Sequence, residues 1–162
     1  MSSPANSKTD FNGLLDKIRR DYPDIRFEEA DNFRWSAEKS TVYYTAAAED
    51  AVWSLLHELG HMTSRHKVYN TDAMLVRMEV EAWQKAGQLA GHYGLAIDED
   101  YIQDCIDSYR DWQYRRSTCP DCSQTGVEKA GGNYKCINCR HSWQVTPNRF
   151  CRVYRKGSAA SD

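Results

Sequence analysis

A pattern H-E-L-G-H runs from His57 to His61 and has the residue types and spacing of a hydrolytic metal site. On a helix, residues four apart lie on one face, so both imidazoles can face one ion while Glu58 lies beside the first. Two histidines and a carboxylate hold Zn²⁺ with one position left for water, and a nearby glutamate takes the proton as that zinc-bound water attacks a carbonyl. The pattern therefore predicts a zinc hydrolase with His57 and His61 as ligands and Glu58 as general base.

A third protein ligand is expected on the next helix, which carries Glu79 and Glu81. Residues two apart point about 200° away from each other on a helix, so only one of these carboxylates can face the metal. Glu79 shares its face with apolar residues that must pack on the motif helix, whereas Glu81 shares its face with Arg77 and Lys85. We predict Glu79 as the ligand and keep Glu81 as the alternative.

Two C-x-x-C pairs form a second constellation near the C-terminus: Cys119 with Cys122, and Cys136 with Cys139. Their spacing lets two tight turns bring four thiolates around one Zn²⁺. A four-cysteine site has no open coordination position, so this zinc should be structural. We therefore predict two Zn²⁺ per chain, one catalytic and one structural.

The first motif lies in a predicted α+β domain over residues 10–116. Three short segments before it are rich in aromatic and branched residues and are separated by polar turns, as strands are. We expect a small antiparallel sheet with strands at 25–28, 32–36 and 41–45.

Apolar residues at helical spacing predict four helices, the second of which carries the motif. Asp72 is expected to be the N-cap of the third helix, and Gly94 to end it. The predicted helices run from Asp10 to Arg20, from Ala46 to about Met62, from Asp72 to about His92, and from just after Asp98 to about Arg116.

The cysteine pairs lie in a predicted zinc ribbon over residues 117–156, with a domain boundary near Ser117. Its few apolar residues cannot hold a fold without metal. Small polar residues dominate the two ends of the chain, so we expect disordered tails at 1–9 and 157–162.

The ribbon mixes aromatic and basic side chains, although the whole chain has a formal net charge of −2. Such a mixture can stack on bases and contact phosphates, which predicts a nucleic-acid partner; a module that docks a protein is the alternative. The residues concerned are Tyr134, Arg140, Trp143, Arg149, Arg152, Tyr154 and Arg155.

Composition places the chain among globular proteins, with 41% hydrophobic and 27% charged residues. No apolar run reaches the length of a membrane span, and the N-terminus lacks the order of a secretion signal. We therefore expect a soluble cytoplasmic protein with no membrane partner. In a reducing compartment the C-x-x-C pairs favour metal over disulfides, which leaves Cys105 and Cys151 as buried free thiols.

The motif followed by Glu79 and Ala82 resembles gluzincin metallopeptidases, in which a glutamate on the helix after the motif completes the zinc shell. In several such families that glutamate stands three residues before an alanine, which favours Glu79, whereas thermolysin-like spacing favours Glu81. The order of elements resembles the minimal zincins, including ImmA/IrrE-like and SprT-like proteins. The likeness covers roughly residues 10–116 and is specific at the motif.

This resemblance implies a zinc endopeptidase that cleaves a protein. SprT-like proteins also place a ribbon after the zincin domain and act on DNA-associated proteins, whereas the ImmA/IrrE-like comparison implies a regulatory repressor as substrate. The histidine-containing third-ligand pattern of SprT-like proteins is not found, and Glu79 or Glu81 replaces it. The resemblance further implies that the strand at 41–45 is an edge that pairs with extended substrate; an ordinary core strand is the alternative.

A tetrahedral oxyanion needs an electrophilic partner, for which several side chains qualify by chemistry alone while also suiting structural roles. These are His66, His92, Tyr93 and Tyr101, whereas His141 is expected to be exposed near the second metal. The alternative function is a non-catalytic, zinc-stabilised adaptor that binds DNA or protein. The presence of Glu58 argues against it, because a structural site needs no base.

Overall fold

The computed structural model describes residues 7–146, with side chains from residue 11 onward. The predicted tail at 157–162 and Cys151 lie outside this range. So do four of the residues predicted for the ribbon surface, namely Arg149, Arg152, Tyr154 and Arg155.

The fold is α+β, as predicted, with four helices and two three-stranded sheets in the described part of the chain. The helix α1 begins before the predicted Asp10, and the third helix has the predicted bounds. In chain order the elements are α1 (Ser7–Asp21), β1 (Arg26–Glu29), β2 (Arg34–Ser36), β3 (Thr41–Tyr44), α2 (Ala51–Thr63), α3 (Asp72–His92), α4 (Glu99–Ser117), β4 (Gly126–Glu128), β5 (Asn133–Cys136) and β6 (Ser142–Gln144). None of the helices described is long and apolar enough to cross a membrane.

The chain divides into two compact units. The first contains the residues up to Lys67 together with Val80–Asp98, and the second contains Val68–Glu79 together with the residues from Glu99 onward. In this division α4 belongs with the cysteine-rich strands, and a domain boundary near Ser117 stays a prediction.

The sheet of the first unit has the strand order β1-β3-β2. The strand β2 is antiparallel to β3, but β1 is parallel to it, so the prediction of an antiparallel sheet is wrong. Because β3 is hydrogen-bonded on both sides, the expectation of a substrate-binding edge at 41–45 is wrong as well. Side-chain alternation in short segments does not encode strand order or direction, which is why the sequence could not reveal this.

Apolar residues of α1 and α2 form the core beside this sheet, and the two helices contact each other. Each fully buried side chain of this size contributes about 1.5–3 kcal/mol through removal from water. The buried residues of the two helices include Phe11, Leu14, Leu15, Ile18, Leu55, Leu56 and Leu59.

A glycine allows α2 and α3 to approach closely within the first unit. A Cβ atom at Gly60 would lie 2.9 Å from the carbonyl carbon of Ala82 and nearer still to its oxygen. Any side chain at this position would therefore push the two backbones apart, although glycine in a helix interior costs about 1 kcal/mol relative to alanine.

In the second unit, α3 begins on a cap other than the predicted one. The hydroxyl of Thr71 accepts a hydrogen bond from the Met74 N–H at 3.1 Å, so Thr71 caps the helix. Asp72 is already helical, and its buried carboxylate binds Arg116 at 2.6 and 3.1 Å and the Tyr134 hydroxyl at 2.6 Å. A buried cation and a buried phenol thus compete successfully for the carboxylate that was predicted to cap the helix.

The sheet of the second unit is an antiparallel β4-β5-β6 meander that meets α4. The indole N–H of Trp143 donates to the Arg116 carbonyl at 2.9 Å, and its ring lies over Gly126. Tyr134 stacks on Trp143 with 5.5 Å between ring centroids and is only 3% exposed. These two aromatic rings pack together on the sheet, and Tyr134 is therefore largely buried.

Candidate metal centres

The structure brings His57, His61 and Glu79 together. One ligand atom from each lies within 4.8 Å of the others, and Glu79 is 5% exposed. Glu79 lies one turn before Ala82 and Trp83 on α3, and both of these are buried in the first unit. Among the described residues this is the only metal-competent group outside the cysteines.

Two contacts orient His57. Its imidazole stacks on the Trp83 indole, with 4.2 Å between centroids and 21° between the planes. Its Nδ1 atom lies 3.5 Å from a carboxylate oxygen of Glu58, while its Nε2 atom is buried. The ring therefore has a defined orientation, and Nε2 is the nitrogen suited to a metal.

Glu58 lies beside the ligands and is held by the neighbouring sheet. Its Oε2 atom accepts a hydrogen bond from the backbone N–H of Trp35 in strand β2 at 2.7 Å. The Trp35 indole N–H donates to the carbonyl of His66 at 3.1 Å. This one residue thus connects strand β2 to Glu58 through its backbone and to His66 through its side chain. Glu58 is buried at 9% exposure, so its carboxylate is shielded from solvent beside the ligands.

Glu81, the alternative ligand, is not a member of the metal-competent group. Its carboxylate binds the Nε2 atom of His66 at 3.1 Å, and its side chain is 39% exposed. The two glutamates thus lie on different faces of α3, as predicted, with Glu79 beside the histidines of the motif and Glu81 beside His66.

Of the residues proposed for an oxyanion partner, His66 contacts a candidate ligand, since its Nδ1 atom is 2.9 Å from Nδ1 of His61. The Tyr93 hydroxyl instead donates to Asp21 at 2.8 Å, and His92 lies 4.0 Å from the same carboxylate. Burial and this hydrogen bond raise the pKa of Tyr93 above its usual value. Tyr101 belongs to α4 in the second unit.

The four cysteines of the two C-x-x-C pairs also converge. Cys119 and Cys139 lie 3.6 Å apart at their sulfurs, and Cys122 and Cys136 lie 3.5 Å apart. Tetrahedral zinc with bonds of about 2.3 Å places its sulfurs about 3.8 Å apart, so this donor set fits one structural zinc ion.

Each cysteine pair is followed by a residue in the left-handed region. Ser123 has φ of 61° and Arg140 has φ of 66°, each directly after the second cysteine of its pair. This backbone reverses the chain, so the Cys119 N–H donates to Gln124 and the Cys136 N–H donates to His141. Glycine is the residue that adopts such φ values without strain.

Hydrogen bonding prepares one thiolate before metal binding. The backbone at Gln124, and then the side chain of Asn138, lower the pKa of Cys122 to about 6. A backbone hydrogen bond at His141 acts in the same direction on Cys139, but desolvation and the neighbouring thiols raise its pKa to about 12. A divalent cation at this group would displace the thiol protons and be bound by the thiolates.

Sequence reasoning missed two residues that contact the first centre. It gave His66 no contact with a ligand and Trp35 no role. The one usable signal was the spacing of five residues from His61 to His66. Residues five apart come into contact where a helix ends in a Schellman motif.

Comparison of the chain with models of protein families, with curated proteins and with solved structures found no match.

Proposed function

We propose that this chain is a zinc-dependent endopeptidase that cleaves a protein substrate. The observation that carries the proposal is the group formed by His57, His61 and Glu79, with Glu58 beside it. Two imidazoles and one carboxylate are the donor set of catalytic zinc sites that keep a position open. A purely structural site is more often closed by four protein ligands, so this donor set favours catalysis.

The roles of the residues follow from their chemistry. Zinc, when bound, supplies a Lewis acid and a water of lowered pKa. Glu58 is the general base that accepts the proton and passes it to the leaving amine, and such a base contributes about 10²- to 10⁴-fold in rate. The Trp35 N–H restrains one oxygen of Glu58, which keeps the other near the ligands.

Metal content is the first test. The wild-type protein should carry two zinc ions per chain, and His57→Ala should carry one. The matched control is His92→Ala, because His92 lies on the exposed side of the same unit with a side chain 69% exposed, and it should retain both ions. One zinc ion in the wild type that is unchanged in His57→Ala would overturn the catalytic metal site.

Activity is the second test. The zinc-loaded protein, at high concentration, is incubated with a peptide library derived from a proteome, and new termini are read by mass spectrometry. Glu58→Gln should retain both zinc ions and lose cleavage by about 10²-fold or more, while Glu99→Gln, at an exposed position at the start of α4, should cleave as the wild type does. Cleavage that survives Glu58→Gln, or no cleavage by the wild type, favours the adaptor and contradicts the peptidase.

We propose further that the ribbon recruits an anionic partner such as nucleic acid. Exposed Lys129 and Lys135 line an open groove of about 340 Å³ on the ribbon, and the stacked rings of Tyr134 and Trp143 form part of its wall. Such a surface suits phosphate contacts without reading of bases. Reversing both charges to glutamate should weaken binding to an oligonucleotide and reduce its log–log salt slope by about two, while Lys39→Glu should not. Oligonucleotide binding that is absent or independent of salt in the wild type would contradict recruitment by charge.

A further inference from the structure

A chain of three side chains leads away from the candidate metal site. The Nδ1 atoms of His61 and His66 lie 2.9 Å apart, and the Nε2 atom of His66 lies 3.1 Å from an oxygen of Glu81. All three residues belong to the first unit, and His66 is 9% exposed. A continuous hydrogen-bonded path thus joins a candidate ligand to a carboxylate at the surface.

The end of α2 creates the first contact. Arg65 has φ of 56°, its N–H donates to the Met62 carbonyl at 3.0 Å, and the His66 N–H donates to the His61 carbonyl at 3.0 Å. This pair of bonds is the Schellman motif, in which the second residue after the cap packs on the residue five positions before it. That pair is usually apolar, but here it consists of two histidines.

Hydrogen bonding then dictates the protonation of both rings. Two nitrogens 2.9 Å apart can bond only if one carries a proton and the other a lone pair. His61 must present Nε2 as a lone pair to hold a metal, so its proton is on Nδ1 and it donates to His66. His66 in turn carries its proton on Nε2 and donates to Glu81.

We propose that His66 and Glu81 are positioning residues for the metal site. They hold His61 in the tautomer and orientation that direct Nε2 at the ion. The inference rests on the proposed function, since it assumes that His61 binds metal. Partners of this kind typically change metal affinity by about 10- to 100-fold. Glu81, the alternative ligand by sequence, thus supports the site from outside its ligand set.

Zinc affinity tests the proposal in the full-length protein. Competition with a chromogenic chelator measures zinc affinity at the first site while the ribbon zinc stays bound. The signal that disappears in His57→Ala is the one that belongs to the first site. His66→Phe keeps a ring but no acceptor and should weaken binding by about 10- to 100-fold. His66→Asn places an amide oxygen near the position of Nδ1 and should recover most of that loss, which a packing role for the imidazole would not predict.

Glu81 provides the second variant, because its exposed side chain can be removed without disturbing the core. Glu81→Ala should weaken zinc binding toward the lower end of the same range, with the stability of the metal-free protein unchanged. Gln84→Ala, on an exposed position of the same helix, is the control and should bind as the wild type does.

The outcomes separate the two proposals. Tight zinc binding in the wild type that persists in His66→Phe and Glu81→Ala would overturn the positioning role and leave the metal site standing. Equal losses in His66→Phe and His66→Asn would also overturn it. Absence of any zinc that depends on His57 would overturn the metal site itself, and the positioning role with it.

Discussion

Replacing Gly60 by alanine should destabilise the protein even though alanine is the better helix former. In an open helix position this change gains about 1 kcal/mol. At Gly60 the new Cβ atom would meet the carbonyl group of Ala82, with the carbonyl carbon at 2.9 Å. A backbone group cannot rotate away, so α2 and α3 must separate, and overpacking of this kind costs about 1–3 kcal/mol.

Gly87 is the matched control within α3, because a Cβ atom there meets nothing within 4 Å and the position is exposed. Gly87→Ala should stabilise the protein by about 0.5–1 kcal/mol. The gain in helix propensity is common to both variants, so they should differ by the overpacking cost of about 1–3 kcal/mol in free energy of unfolding, with Gly60→Ala the less stable of the two.

Urea unfolding at fixed excess zinc, followed by circular dichroism, measures both variants. Gly60→Ala should also weaken zinc binding at the first site, because a displaced α3 carries Glu79 away from the histidines. If Gly60→Ala proves as stable as Gly87→Ala, the backbones of α2 and α3 are not in the close contact at Gly60 and Ala82 from which the loss is expected.

Three further predictions concern the second unit. Asp72→Ala removes the carboxylate that balances the charge of the buried Arg116 and should lower the free energy of unfolding by about 3–5 kcal/mol in urea titrations; a loss under 1 kcal/mol would contradict the buried pair. Burial and the hydrogen bond to Asp72 raise the pKa of Tyr134, so the stability it contributes is complete below its unfolded pKa of about 10 and is lost as pH rises above that value. Tyr134→Phe should therefore flatten the fall of stability above pH 10 by up to about 1.4 kcal/mol per pH unit, and an unchanged slope would argue against the shift. Arg140→Gly removes left-handed backbone strain of about 1–2 kcal/mol and adds an entropic cost of about 0.5–1 kcal/mol, so it should stabilise the protein by about 0.5–1 kcal/mol and raise the thermal midpoint with zinc content unchanged; a lower midpoint would show that the arginine side chain contributes more than the strain removes.

The helices and the local chemistry could be read from the sequence because their signals are local. Helical periodicity placed α3 from Asp72 to His92 and put Glu79 on its buried face, in agreement with the structure. The spacing of the cysteines likewise placed four thiols together. The identity and number of bound ions and the peptidase activity stay predictions.

The arrangement of the strands and the outer contacts of the sites could not be read in this way. The strand β3 lies between β1 and β2 because of hydrogen bonds formed across the sheet, which the residue types of a four-residue strand do not specify. Asp72 looks like an N-cap until the fold brings Arg116 to its carboxylate.

The sequence by itself determined which residues can hold metal, since that depends on side-chain chemistry and on the period of a helix. The tertiary structure decided the rest. It placed Glu79 rather than Glu81 with the histidines, gave Glu58 its partner on strand β2, and set His66 against His61. Those contacts join elements distant in the chain or depend on a left-handed turn at Arg65, and the free energy that selects them comes from packing that no local pattern records.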